Sequence, residues 1–166
     1  MHLKTYISLF LSLASAIDSL STPRASHKYK SIWQPAVGTK WQIEIWTQVD
    51  TSQPLSPADA LVYDVDLFYH SKDQIATIKA QGKKVICYFS AGSGEIWRPD
   101  YSQFKPSDLG TPLSGWAGER YLNIRSKAVL GIMKKRIHLA SMKGCDAIDP
   151  DNMGTFLSSL SAKQES

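Results

Sequence analysis

The chain is short of the side chains that hold metals and redox groups. It has only two cysteines, Cys87 and Cys145, among 166 residues. Its four histidines are scattered at positions 2, 27, 70 and 138, so no set has metal-ligand spacing and no cofactor is expected. No apolar run is long enough to span a bilayer, which argues against a membrane anchor. Charge of one sign is scarce as well. The net charge of +4 falls to about +3 once Lys4 leaves with the leader described below, too little to argue for nucleic acid. The Lys134-Lys135-Arg136 run lies in a helical pattern and reads as a solvated helix face.

What is present begins with an export signal. Lys4 precedes an apolar run from Tyr6 to Leu13, and Ala14-Ser15-Ala16 fits a small-residue cleavage site. Residues 1–16 are therefore read as a signal peptide and the protein as secreted. Residues 17–32, rich in Ser, Thr, Pro and Lys, read as a flexible lead-in. One domain is assigned to residues 33–154, followed by a short polar tail over 155–166. Five tryptophans and seven tyrosines make the chain rich in aromatics.

Four apolar runs follow at spacings that leave room for a helix or long loop. The first, Trp41 to Trp46, alternates as a strand does. The others are Leu61 to Phe68, Lys84 to Ser90, and Cys145 to Asp149 closed by Pro150. Ser71 caps a helix carrying Ile75 and Ile78 that ends at Gly82. Ser126 caps a longer one, faced by Val129, Leu130, Met133, Ile137 and Ala140, that stops at Gly144. Strand and helix in alternation predict parallel strands joined by right-handed crossovers, an α/β fold. Residues 91–125 form a connection too long for a plain loop, and binding sites sit on such loops.

Strand parity bears on the cysteines. With Tyr88 and Ser90 on one face, Cys87 faces the other, while Cys145 shares the face of Asp149. Free buried thiols follow from that reading; a bulge would restore a disulfide.

The acidic residues stand in unusual places. Asp64 and Asp66 point the same way inside an apolar strand, Asp149 and Asp151 flank Pro150, and Glu95 follows the third strand three residues before Arg98. A carboxylate in a strand is costly without a partner. Convergence at a barrel mouth, around a sugar, would supply a reason. Asp64, lower on its strand, reads instead as a buried structural acid. Asp151-Asn152 also fits a simple turn, and Glu119-Arg120 a surface ion pair of little energetic weight. Trp33, Trp97 and Trp116 fit either core packing or stacking on sugar faces.

Taken together, several stretches resemble the N-terminal part of the family 114 glycoside hydrolases, the secreted endo-α-1,4-polygalactosaminidase-like proteins often labelled α-galactosidases. They are Trp41-Gln42-Ile43, Tyr63 to Phe68, Lys84 to Ser93, Glu95 to Asp100, Gly115 to Arg120, and Lys143 to Asn152. The resemblance implies a partial (β/α)8 TIM barrel with about four β/α units present. It implies a polysaccharide substrate of the galactosaminogalactan kind, cleaved between two carboxylates. One catalytic acid maps onto Asp149-Pro150-Asp151-Asn152, with Asp149 favoured and Asp151 as the alternative. In a retaining mechanism that Asp is the nucleophile, with a second carboxyl ~5 Å away. Asp66, Tyr88, Glu95, Trp97, Arg98 and Asn152 become substrate-binding neighbours. The family's second acid, a Glu on a later strand, has no counterpart before Ser166, and a full barrel needs about 250 residues. An incomplete, catalytically impaired hydrolase is therefore expected, with a non-catalytic galactoside-binding half-barrel as the alternative.

Overall fold

The computed structural model describes residues 32–154, and all its elements fall in the compact unit that begins at Pro35. The signal segment, the lead-in up to residue 31 and the tail from 155 lie outside the described residues. Four strands form one parallel sheet: β1 (Trp41–Glu44), β2 (Val62–Asp66), β3 (Lys84–Ser90) and, after a long excursion, β7 (Ala147–Asp151). Their order is β1-β2-β3-β7, with Asp66 opposite Tyr88 and Tyr88 opposite Asp149.

Both expected helices are present and start at the expected serines, although the first is capped at its end by Gln81, one residue before Gly82. Helix α1 (Lys72–Ala80) starts at Ser71, whose hydroxyl accepts from Gln74 N while the Gln74 side chain accepts from Ser71 N. This reciprocal pairing satisfies two orphan donors of the first turn. Helix α2 (Lys127–Lys143) starts at Ser126 and ends at Gly144, whose φ of 88° is open to glycine at little cost. The helices cover one face of the sheet. Tyr63, Val65, Val85, Cys87 and Phe89 pack there with Ile75, Ile78 and Ala140. Each such apolar side chain, fully buried, contributes on the order of 1.5–3 kcal/mol.

The connection over 91–125 is structured. It carries β4 (Ser93–Glu95), β5 (Leu109–Pro112) and β6 (Glu119–Leu122), an antiparallel sheet in the order β4-β6-β5. Phe104 and Leu122 of this insertion pack on Val129 and Ile132, which ties it to the first half of α2.

Four expectations are corrected. Cys87 and Cys145 form a disulfide, with Cα atoms 6.0 Å apart. Cys145 lies in the turn after α2, two residues before β7 begins, so strand parity does not govern its direction. Pro150, read as a stop, sits inside β7, which is the last strand of the sheet, where a missing N–H is tolerated. On α2 the buried stripe is Val129, Ile132, Arg136 and Ala140, whereas Leu130 and Ile137 are exposed. Arg136 therefore does not belong to a solvated basic face; it is 1% exposed.

Candidate active site

The uncovered face of the sheet carries the acids. Asp64 and Asp66 of β2, Tyr88 and Ser90 of β3, and Asp149 and Asp151 of β7 share it by their strand registers. At the carboxyl ends of the strands this face opens into a cavity of about 200 Å³. Its lining includes Tyr88, Asp151, Glu95, Trp97, Arg98 and Glu119, with Trp46 and Trp116 at the mouth. A larger cavity of about 380 Å³ lies beside the loop after β1 and contains none of the expected site residues.

Each side chain has a local reason for its place. Glu95 ends β4, and the turn after it brings Arg98 back so that Nε and Nη2 both donate to its carboxylate at 2.7 Å. Arg98 Nη2 also pairs with Asp66 Oδ2 at 2.7 Å. The other Asp66 oxygen accepts from the backbone N–H groups of Phe68 and Tyr69. Burial disfavours the charge on Arg98, but its bonds to Glu95 and Asp66 outweigh that and hold its pKa above the ordinary value. Burial also pushes Glu95 up against the pull of Arg98. Arg98 Nη1 is buried without a hydrogen-bond partner. Gly118 has φ +86, and a Cβ there would meet Ile96 at 3.0 Å and Trp97 at 3.1 Å. Glycine is what lets the turn before β6 pass this close to Ile96 and Trp97.

Tyr88 donates its hydroxyl to Asp151 Oδ2 at 2.9 Å, and burial, more than that bond, raises its pKa. Asn152, at φ 62, donates from its backbone to Asp151 Oδ1 at 2.7 Å. Asp151-Asn152 is thus part of the cavity as well as a bend in the chain.

Of the expected residues, the cavity brings together Tyr88, Glu95, Trp97, Arg98 and Asp151, while Asp66 and Asn152 stand one contact behind. Asp149 does not line it. Its carboxyl meets that of Asp64, which is 4% exposed. Burial first, then the charge and hydrogen bond of Asp149, push Asp64 up to about 7.

This shift has a sign that can be measured. A carboxyl raised on folding binds its proton more tightly in the native state, so stability falls as pH rises from about 4 to about 7. Between about pH 5 and about pH 8 the protein is expected to lose roughly 2–3 kcal/mol from this group. Asp64→Asn should remove that slope. Stability-against-pH curves from urea titration that run parallel for the two proteins would show that Asp64 does not titrate this way.

Glu119 is 6% exposed and accepts from Ser93 Oγ at 2.6 Å, while Arg120 donates to Gly110 O. The surface ion-pair reading of these two is corrected. Trp46, Tyr69 and Ile45 were not singled out from the sequence. Trp46 and Trp116 stack with ring centroids 5.7 Å apart and planes within 4°. An aromatic residue just past the end of β1 was the available signal for Trp46, since barrel sites collect at those ends. Among the described residues no group of His, Cys, Asp and Glu is placed to hold a metal ion. No described helix is long and apolar enough to cross a membrane.

A parallel sheet with helices on one face and a site at the carboxyl ends of its strands defines a partial (β/α)8 barrel. The model of glycoside-hydrolase family GH114 matches residues 22–166, and the chain belongs to that family. Among solved structures it is similar to Aspergillus fumigatus Ega3, crystallised in complex with galactosamine. The two share 52% sequence identity with a TM-score of 0.69, over 75% of this chain and 48% of that one. The glycoside hydrolase domain of PelA from Pseudomonas aeruginosa is similar in fold, at 9% identity and a TM-score of 0.60, over 72% of this chain and 46% of that one. The chain thus spans about half the length of these structures. No curated protein matches.

Proposed function

We propose that the cleft binds α-linked galactosamine polymers and that the protein acts in their hydrolysis outside the cell. The observation that carries this reading is the cavity itself, in which Asp151, Glu95 and Glu119 face a space walled by Trp46, Trp97 and Trp116. Carboxylates suit an ammonium group, and tryptophan faces suit the apolar face of a galactose-type ring. The galactosamine bound to Ega3 supports the same ligand. A disulfide supports an oxidising destination; the leader that would direct export lies outside the described residues.

Within this reading Asp151 takes the place beside the reacting carbon, and Asp149 is its deeper neighbour. Asp151 lines the cavity, held by Tyr88 and Asn152, whereas Asp149 is turned to Asp64. In a retaining cleavage an Asp so placed attacks the anomeric carbon while a second carboxyl ~5 Å away protonates the departing oxygen.

The test is calorimetric titration with α-1,4-linked galactosamine oligomers, paired with an assay for new reducing ends. Saturable binding is expected, about tenfold weaker in Trp97→Ala and in fully N-acetylated oligomers, which lack the cation. Equal affinity for the acetylated and free-amine forms would remove the acid–amine argument, and no binding would sink the reading. Binding without release of reducing ends would favour the non-catalytic galactoside-binding alternative.

A further inference from the structure

A continuous run of hydrogen bonds crosses from the inserted sheet to the barrel strands, and its direction is fixed by chemistry. Glu119 on β6 has a carboxylate that only accepts when ionised, so Ser93 Oγ on β4 must donate to it, at 2.6 Å. Ser93 has one hydroxyl hydrogen. The 2.6 Å contact between Ser90 Oγ and Ser93 Oγ is therefore made with the hydrogen of Ser90. Ser90 Oγ then has only lone pairs left, and it accepts from Ser93 N at 3.1 Å and from Asn152 Nδ2 at 3.0 Å. The Asn152 amide must turn its NH2 end toward Ser90, and the same nitrogen lies 3.3 Å from Asp151 Oδ2. The flipped amide would place its oxygen against a hydroxyl with no hydrogen to give and against a carboxylate. Ser90 and Ser93 are fully buried, so solvent cannot relieve the conflict.

We propose that Glu119 is a positioning residue for Asp151: through Ser93 and Ser90 it sets which end of the Asn152 amide faces Asp151, so that Asp151 meets donors only. The proposal rests on the reading of Asp151 as a carboxylate that contacts the sugar. The chain of contacts gives the insertion over 91–125 a role in that site beyond shaping its wall. A sugar ammonium arriving at Asp151 finds a carboxylate already oriented by Tyr88 and by both nitrogens of Asn152. None of its orientation has to be fixed on binding.

The discriminating variant is Ser93→Ala, which cuts the run at a residue that does not line the cavity. Two readouts are taken on the 166-residue chain. In nitrogen-15 spectra the Asn152 side-chain amide signals are expected to move on Ser93→Ala, with or without ligand. In calorimetry with a galactosamine oligomer, Ser93→Ala is expected to weaken binding about tenfold in the wild-type background and less than about twofold in an Asp151→Asn background. A purely structural role for Ser93 would weaken binding equally in both backgrounds, and that result overturns the proposal while leaving the ligand assignment standing. Asn152 amide signals that stay in place overturn it as well. If wild-type protein binds no galactosamine oligomer, the ligand assignment fails, and the amide signals alone decide whether Glu119 orients Asn152. Glu119→Gln, which keeps the shape and removes the charge, is expected to move the same signals and serves as the second variant if Ser93→Ala does not fold.

Discussion

Arg136→Met is expected to lower stability by about 3–5 kcal/mol, because it leaves a charge partner stranded in a poorly solvated place. Arg136 projects from the buried face of α2 and donates from Nε and Nη2 to the two oxygens of Asp100 at 2.8 Å. Its Nη1 donates to Ser90 O at 2.7 Å. One side chain thus joins a helix, the inserted segment and a barrel strand. The guanidinium also lies 5.1 Å from the centre of the Phe68 ring, and that of Arg98 lies 4.9 Å from the same ring. Methionine can refill much of the volume but supplies no donor, so Asp100 and the Ser90 carbonyl lose their partners together. Urea titration of Arg136→Met, Asp100→Leu and the double variant gives the check. The double variant should recover more than half of the loss, since two apolar groups replace a pair rather than orphan one of its members. A single variant within about 1 kcal/mol of wild type would show that the bidentate pair contributes little to stability.

Arg136 also shows where a sequence misleads. Read as the third member of a basic run it belongs to the surface, and Lys134 and Lys135 encourage that reading. Counted along the helix it falls seven residues after Val129, four after Ile132 and four before Ala140, which is the buried stripe. The apolar pattern pointed instead to Leu130 and Ile137, which are exposed, because following apolar residues alone leaves a charged member of the true stripe out. Where local signals agreed with tertiary context, the boundaries were legible: β3 runs from Lys84 to Ser90 as its apolar run does, and both helices start at their capping serines. The inserted sheet was not legible, since β4 is Ser93-Gly94-Glu95, with no apolar alternation to mark it. The site was legible in part. Carboxylates standing in strands drew attention to Asp66, Asp149 and Asp151. Glu119 was hidden because its burial depends on β4–β6 pairing, and that pairing leaves no local trace in the sequence.

Removing the disulfide, as Cys87→Ala with Cys145→Ala, is expected to cost about 4 kcal/mol. The bond closes a loop of 58 residues, and a cross-link of that span restricts the unfolded chain by about that amount. The loop contains the whole inserted sheet and α2. The consequence reaches the site through β7. That strand is paired with β3 alone among the described strands, and Cys145 anchors the turn that leads into it. Asp151, its last residue, accepts from the Tyr88 hydroxyl and, through its carbonyl, from the backbone of Ala91 and Gly92. Loosening β7 should therefore weaken the galactosamine binding proposed above as well as stability, whereas a change confined to the helix-covered face would lower stability alone. The two effects separate by measuring unfolding and binding with and without reductant, on wild type and on the double variant. Reductant should bring wild type to the level of the variant and leave the variant unmoved. A double variant that unfolds within about 1 kcal/mol of oxidised wild type would mean that the unfolded chain is already compact between the two cysteines, since residual structure there is what removes the entropic gain.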